Sequence, residues 1–351
     1  MLRHSSDSEP GITRKRIKSA WGYFDAEGKR ITERDEIDRL NALALPPAYT
    51  DAWFCADPCG HLQATGIDAR GRKQYRYHAA FRERRDAAKY DGLLEFGKAL
   101  PKLRRRVEQD LKRRKLDREA VLAAIVRLLD TEYIRIGNEQ YAKDNKSFGA
   151  TTLRSRHLRR KGSKLMMRFA GKHGIVHEVK ISDSNLKRIV KRCQELPGQM
   201  LFQYVGDDGE PRPIGSGDVN DYIKDASGGE FTAKHFRTWG ASVIAFDQLL
   251  RKADDARITV KTVVEPVAEA LGNTVAMSRK AYVHPALLEA VKEAPRDPLD
   301  GMERPRAKTR LSSSEVGLLD YLARGGKRAR RRKAKAAEQA TAAAAQEKAA
   351  A

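Results

Sequence analysis

Four side chains suited to phosphoryl transfer lie in separate motifs along the sequence. Tyr282 ends a run Ser-Arg-Lys-Ala-Tyr, and three cations stand upstream of it at Arg135, Lys172 and Arg237. A phenol oxygen can attack phosphorus and hold the phosphoryl group covalently, while fixed cations neutralise the phosphate and a lysine can protonate the departing oxygen. Each residue type is more often structural when taken singly. Their order along one domain predicts metal-free cleavage and rejoining of a DNA strand.

The charge of the chain favours the same kind of partner. The formal net charge is +22, and residues 327–351 hold eight Lys/Arg and two Glu, which leaves +16 on the rest. A surplus of that size usually indicates nucleic acid, because phosphate contacts release counterions and dominate affinity. No signal peptide, no stretch of about 20 apolar residues and no basic amphipathic helix is present. We therefore expect a cytoplasmic, nucleoid-associated protein that binds no membrane.

The sequence gives little support to three other kinds of site: a disulfide or zinc site, an ATP-binding loop and a two-metal nuclease centre. Cys55, Cys59 and Cys193 are too few for a disulfide framework and lack the second ligand pair of a zinc site. The segment Gly92–Ala99 approaches a phosphate-binding loop but ends in alanine where a hydroxyl must reach magnesium. Asp207-Asp208 lies in a turn without a second acidic cluster. The sequence thus predicts no cofactor, no metal, no ATP requirement and no small-molecule substrate.

The elements that must position these residues fall into two predicted domains of an α+β protein. Residues 1–82 form a small β-rich domain, in which residues 1 to about 15 are polar and expected to be loose. Gly/Asp/Pro turns separate its short strands. The strands are predicted at Ala52–Ala56, Leu62–Asp68 and Lys73–Tyr77.

Residues 83–326 are predicted to be a larger, mainly helical domain. An amphipathic helix from Ala120 carries Arg135 at its far end, and a hairpin places Lys172 in its turn. Further helices cover Phe231–Leu250 and Thr259–Leu271, and Asn273-Thr274 caps the helix that leads to Tyr282. Residues 327–351, basic and alanine-rich, are predicted to be a flexible tail.

From about Arg14 to Leu322, the chain resembles the type IB DNA topoisomerases, in particular the compact poxvirus-like kind found in bacteria. The resemblance implies a monomer that closes on double-stranded DNA as a C-shaped clamp, with the β-rich domain on one face of the duplex. The matching stretches are Thr65–Tyr77, Tyr133–Lys143, Phe148–His157, Phe169–Lys172, Phe231–Gly240 and Leu271–Tyr282.

The resemblance also implies catalytic roles for five residues. Tyr282 would become linked to the DNA 3′ phosphate, Arg135 and Arg237 would bind the non-bridging oxygens, and Lys172 would protonate the 5′ oxygen. Poxvirus members place a histidine nine residues before the tyrosine, where this chain has Asn273. An amide can hydrogen-bond a phosphate oxygen without carrying charge, which predicts a slower step or a different pH dependence.

Two further sets of residues are predicted to contact DNA. In the N-terminal domain the resemblance implies major-groove contacts, although the same alternation would suit an ordinary exposed strand with aromatic cross-strand packing. In the helical domain the expected contacts are to phosphate. The two sets are Gln74, Tyr75 and Tyr77, and Arg154, Arg156 and His157.

Two alternatives remain at this point. A tyrosine recombinase uses the same two arginines, lysine and tyrosine, but performs sequence-specific strand exchange as a tetramer, and the β-rich N-terminal domain argues against it. A non-enzymatic basic DNA-binding protein would explain the charge but would leave the ordered catalytic pattern as a coincidence. Relaxation of supercoiled DNA by a type IB topoisomerase is the favoured interpretation.

Overall fold

The computed structural model describes residues 2–18, 20–162, 164–251, 258–299 and 301–325. The chain divides into two units, Met1–Asp91 and Gly92–Ala351. The first is built on a β-sheet and the second is mainly helical, which confirms the predicted α+β class. The boundary expected near residue 82 falls inside a helix of the first unit, Ala79–Asp91. The basic tail expected at residues 327–351 lies outside the described residues.

An antiparallel sheet forms the first unit. Its elements are β1 (Ile12–Ile17), β2 (Ala20–Phe24), α1 (Arg34–Ala42), β3 (Thr50–Phe54), β4 (Leu62–Ile67), β5 (Lys73–Tyr77) and α2 (Ala79–Asp91). The strand order is β2-β1-β3-β4-β5, so β5 lies at an edge. One face of the sheet packs on α1 through a small core made of Ile12, Tyr23, Leu40, Leu45, Phe54 and Ala64.

The N-terminal segment belongs to this sheet, and the prediction that residues 1 to about 15 are loose is wrong. Arg3 donates its backbone N–H to the Cys59 carbonyl at 2.9 Å and accepts from the His61 N–H at 2.8 Å. Residues Ile12–Ile17 form β1, with Ile12 in the core. The polar composition hid this pairing because strand formation here depends on the neighbouring strands, β2 directly after it and β3 further along the chain.

Among the described residues, the second unit contains ten α-helical segments and five strands, and the strands form two small sheets. Its helices are α3 (Leu93–Asp110), α4 (Arg118–Glu132), α5 (Glu139–Asn145), α6 (Ser184–Glu195), α7 (Ser216–Ser227), α8 (Ala233–Leu250), α9 (Val260–Leu271), α10 (Val275–Ala281) and α11 (Pro285–Glu293), followed by helical residues 313–325. Its strands are β6 (Leu158–Lys161), β7 (Lys164–Ala170), β8 (Val176–Ile181), β9 (Gln203–Val205) and β10 (Pro211–Pro213). Among the described residues, no helix combines the length and the apolar composition that a membrane span requires.

Helix α4 is the centre of the second unit. It packs against α3, α6, α7 and α8, and every residue from Ala120 to Val126 is buried. A helix that is apolar on all sides is stable only inside a protein. The helix ends at Glu132, three residues before the predicted end at Arg135, because Tyr133 adopts a left-handed conformation with φ 50°. Its ring occupies the space that a side chain at Gly240 of α8 would need.

A buried ionic network links the helical residues 313–325 to helices α3, α4 and α8. Arg104 of α3 donates to Asp130 of α4 at 2.8 Å and to Glu315 at 2.8 Å. Trp239 of α8 donates its indole N–H to Glu315 at 3.0 Å. Removal of one partner from a buried ion pair costs about 3–5 kcal/mol, because the other charge is left without compensation. Residues 313–325 are therefore an integral part of the fold.

Candidate active site

Arg135 lies in an extended segment just after α4. Its carbonyl accepts the Ala150 N–H at 2.8 Å, and the next carbonyl, that of Ile136, accepts the Thr151 N–H at 2.7 Å. A Cβ at Gly149 would lie 2.5 Å from the Arg135 carbonyl oxygen, so only glycine permits this close pairing. The backbone that carries Arg135 is thus held by a neighbouring segment, where the sequence had predicted a helix end.

Arg237 is the most enclosed cation of the site. It lies on α8, its exposed fraction is 4 %, and its guanidinium donates to the Tyr133 carbonyl and, at 3.0 Å, to the Leu271 carbonyl. These carbonyls lie at the C-terminal ends of α4 and α9, where the helix dipole favours a cation. Burial and the like charge of Arg135 lower the pKa of Arg237 to about 10, so the side chain stays protonated at neutral pH.

Tyr282 lies directly after α10, with its ring beneath this guanidinium. The Arg237 Cζ is 5.0 Å from the ring centroid of Tyr282. The Thr274 side chain accepts the Met277 N–H at 3.2 Å and caps α10, as the sequence predicted. Burial raises the pKa of the phenol, but the charges and hydrogen bonds of Arg237 and Arg135 outweigh it and bring the pKa below its ordinary value. Both arginines therefore favour the nucleophilic phenolate.

Asn273 completes this group from the turn between α9 and α10. The preceding Gly272 has φ 58°, which turns the chain sharply at the end of α9. The Asn273 Oδ1 accepts from Arg135 Nη2 at 2.6 Å. Its Nδ2 is buried and has no hydrogen-bond partner within the described part of the chain. A buried donor without a hydrogen-bond partner destabilises the folded protein. Such a donor is therefore typical of a group that hydrogen-bonds to a bound ligand.

Lys172 lies on a turn near Tyr282, the two arginines and Asn273, but it makes no hydrogen bond to any of them. It begins a 3₁₀ turn, Lys172–Gly174, between β7 and β8, which confirms the predicted hairpin. Its side chain is exposed and makes no hydrogen bond or ion pair with the residues that the structure describes. The structure therefore brings together Tyr282, Arg135, Arg237 and Asn273, and leaves the lysine free to reach a substrate.

His177 on β8 is a neighbour of the site that the sequence did not reveal. Burial, followed by the charges of Arg135 and Arg237, lowers the pKa of this imidazole, which is consequently neutral. Its ring stacks on Phe169 with centroids 5.2 Å apart. The alternation of apolar and polar residues in β8 indicated a strand, but nothing in that pattern indicated which element the ring would meet.

The predicted DNA contacts of the first unit lie on the edge strand β5, on two different faces. Tyr75 and Tyr77 are stacked with ring centroids 6.1 Å apart, and Tyr75 is 46 % exposed. Gln74 points to the opposite face, where its amide donates to Asp68 at 3.0 Å. The two tyrosines present a continuous aromatic surface. The Gln74 amide, in contrast, must break its hydrogen bond to Asp68 before it can contact a base.

The predicted phosphate contacts of the second unit surround one phenylalanine. The guanidinium carbons of Arg154 and Arg156 lie 5.8 Å and 5.9 Å from the Phe148 ring centroid. His157 is only 8 % exposed, and its Nδ1 accepts the Arg154 N–H at 3.1 Å. Burial and the adjacent arginines lower its pKa to about 4. His157 thus supports the loop as a neutral ring, and its contact with phosphate stays a prediction.

No group of three or more His, Cys, Asp or Glu side chains in the described ranges is arranged to hold a metal ion. The site contains a half-buried phenol, two guanidinium groups and one amide donor on converging elements. Such a group can bind a tetrahedral anion, stabilise the charge on its non-bridging oxygens and attack it from the phenol oxygen.

The chain is similar to two family models and to several known proteins. Residues 78–296 match the family model of the eukaryotic DNA topoisomerase I catalytic core, and residues 20–68 match that of the bacterial DNA topoisomerase IB N-terminal domain. DNA topoisomerase 1B of Acanthamoeba polyphaga mimivirus is 31 % identical over 316 residues, which cover 84 % of this chain and 94 % of the relative. DNA topoisomerase 1B of vaccinia virus (strain Copenhagen) is 23 % identical over 254 residues, 70 % of this chain and 76 % of the relative.

Proposed function

The chain belongs to the type IB DNA topoisomerases, and from this membership we propose that it relaxes supercoiled DNA through a covalent intermediate on Tyr282. The Tyr282 oxygen attacks a backbone phosphorus, and a bond forms to the 3′ phosphate while the bond to the 5′ oxygen breaks. Lys172 gives its proton to that oxygen, and the phenol proton passes to solvent. Strand rotation releases torsion, and the 5′ hydroxyl then reverses the reaction. ATP is not needed because the phosphotyrosine keeps the bond energy, and a metal ion is not needed because Arg135 and Arg237 supply the positive charge.

The convergence of two arginines on Tyr282 is the observation that carries this proposal. Arg237 lies over the ring, and Arg135 is held by Asn273 at 2.6 Å, so both cations are fixed before a substrate arrives. Preorganised charges of this kind contribute most to a transition state, since they need no reorganisation when negative charge develops. The orphaned Nδ2 of Asn273 supplies a further donor for a non-bridging oxygen.

The proposal extends to the way in which DNA is held. The net charge of +16 outside residues 327–351 suits a duplex backbone, and Tyr75 and Tyr77 offer an aromatic surface in the first unit. Both units contact the DNA, closing on it as a C-shaped clamp, and one chain suffices for catalysis. The proposal also places the protein in the cytoplasm, associated with the nucleoid.

One assay tests the proposed reaction. The protein is incubated with supercoiled plasmid in excess chelator and without ATP, and the products are denatured with detergent. We expect complete relaxation, with protein attached to 3′ ends of the DNA. Relaxation that requires metal, attachment at 5′ ends, or strand exchange between two plasmids would each refute the proposal, the last in favour of a recombinase.

A truncated variant tests whether the basic tail contributes to DNA binding but not to cleavage. A variant that ends at Gly326 loses seven cations between Lys327 and Lys335. We expect it to cleave a short saturating duplex at the rate of the full chain, but to bind more weakly at low salt. Each lost phosphate contact flattens the log–log salt dependence of binding by about 0.9. Single-turnover cleavage and binding, both measured as salt is varied, test the two parts of this prediction.

The control for this truncation is a variant that ends at Arg310. It also lacks Glu315, so Trp239 loses its acceptor and Arg104 loses one of its two carboxylate partners. We expect it to unfold at a lower temperature or to fail to fold.

If the variant that ends at Gly326 binds DNA well but does not cleave it, the tail is part of the active structure.

A further inference from the structure

The ring of His177 lies between two glycines that precede catalytic residues. A Cβ at Gly171 would lie 2.7 Å from the ring atoms Cδ2 and Nε2, and a Cβ at Gly272 would lie 2.8 Å from Cε1. Both distances are shorter than real side chains tolerate, so the ring touches both backbones closely. Its outer edge therefore fills the space between the two turns, while its other side stacks on Phe169.

These turns are the ones that carry Lys172 and Asn273. Gly171 accepts the Gly174 N–H at 3.1 Å and donates to the Ile175 carbonyl at 2.7 Å, which closes the turn around Lys172. Gly272 ends α9, and Asn273 follows it with a bond to Arg135. One of the two turns is thus anchored in the group around Tyr282, and the other carries an exposed lysine with no bond to the described residues.

We propose that His177 is a positioning residue for Lys172, which sets the distance between the Lys172 turn and the Asn273 turn. The inference rests on the proposed role of Lys172 as the proton donor. Since the side chain of Lys172 has no hydrogen-bond or ion-pair partner within the described ranges, the direction of its ammonium group depends on where the turn is held. A displacement of about 1 Å at a reacting group can slow a reaction about 100-fold.

A histidine is suited to this place because it is neutral there. Burial and the positive charges of Arg135 and Arg237 disfavour the imidazolium form. A flat uncharged ring can fill a narrow gap beside two arginines without repelling them. An aliphatic side chain of similar volume would lack the flat face that stacks on Phe169.

The test uses two DNA substrates, an ordinary duplex and one with a bridging 5′ sulfur at the cleavage site. A thiolate leaves without a proton, so the sulfur substrate bypasses a misplaced Lys172. For His177→Ala we expect single-turnover cleavage about 10- to 100-fold slower on the ordinary duplex and close to the wild-type rate on the sulfur duplex. His173→Asn, a change in the same turn at an exposed ring, should match the wild type on both. An equal defect of His177→Ala on both substrates, or no defect on either, would overturn the inference.

Gly171→Ala provides a second test that does not depend on how well His177→Ala folds. Gly171 has φ −88°, which alanine adopts readily, so the ring of His177 is the main obstacle to a Cβ there. We expect this variant to be slowed on the ordinary duplex and restored by sulfur. The double variant Gly171→Ala/His177→Ala should be no slower than His177→Ala, because the clash is gone. Additive defects, or a Gly171→Ala defect that sulfur does not restore, would contradict the role of the ring.

Lys172→Ala, measured alongside, separates this inference from the proposed function. If sulfur restores Lys172→Ala but not His177→Ala, only the role of His177 fails. If sulfur does not restore Lys172→Ala, the role of Lys172 as proton donor fails, and the positioning role fails with it. Thermal unfolding of each variant verifies that the rates compare folded proteins.

Discussion

Tyr282→Phe is expected to abolish relaxation and covalent capture of DNA. The substitution removes only the phenol oxygen, so the ring keeps its packing beneath Arg237, 5.0 Å from the guanidinium carbon. Without that oxygen no bond to phosphorus can form, and loss of a nucleophile typically lowers the rate about 10⁴-fold or more. Plasmid relaxation, and detergent-trapped adducts on a radiolabelled duplex, measure the two effects.

DNA affinity distinguishes this result from a damaged protein. Binding of Tyr282→Phe to a short duplex should stay close to that of the unchanged chain, since the arginines and the basic surface are intact. Tyr204→Phe, on β9 of the same unit, is a matched control that should relax plasmid normally. A covalent adduct or measurable turnover in Tyr282→Phe would assign the nucleophile to another residue.

Lys172→Ala and Arg237→Ala should both cleave an ordinary duplex slowly, but for different reasons. Loss of a general acid costs about 10²–10⁴ in rate, because the 5′ alkoxide leaves poorly without a proton. Loss of a group that stabilises the transition-state charge costs about 10²–10³. A bridging 5′ sulfur should therefore restore cleavage by Lys172→Ala and leave the defect of Arg237→Ala in place, as measured by single-turnover kinetics on both duplexes.

Arg237 also has a structural role that this experiment must take into account. Its guanidinium joins the ends of α4 and α9 through the Tyr133 and Leu271 carbonyls. Arg237→Lys keeps a charge but cannot present the planar fork, so it should recover part of the stability and little of the rate. Lys180→Ala, an exposed lysine of β8, is the control for the loss of a cation from this hairpin. Equal defects of Lys172→Ala on both substrates would reassign Lys172 to DNA binding.

The sequence predicted those parts of the site that depend on local patterns. The Thr274 cap, the hairpin around Lys172 and the helix α9 follow from capping residues and periodicity within a few positions. The end of α4 was missed because it depends on Tyr133, whose left-handed conformation is supported by packing on Gly240 of α8, over 100 residues away. Local propensity contains no information about such a partner.

The lack of information about distant partners also explains the other differences between the predictions and the structure. The resemblance predicted DNA contacts for Gln74 and its neighbouring tyrosines together, but successive residues of a strand face opposite sides, and the Gln74 amide donates to Asp68. Their contact with DNA stays a prediction. The first strand was missed because its register comes from β2 and β3, not from its own composition. The contact of His177 with two glycines required knowledge of how a hairpin meets a helix end, which no single motif encodes.

Glu315 is made late in biosynthesis. A ribosome completes Tyr282, Arg135 and Arg237 before it adds the residues that form the 313–325 helix. Until then Trp239 on α8 lacks its carboxylate acceptor, and Arg104 pairs with Asp130 but not with Glu315. The helix that carries Arg237 is therefore stabilised fully only after most of the polypeptide has been made. A prematurely terminated chain, like the variant that ends at Arg310, is expected to lack a stable arrangement of Arg237 and Tyr282.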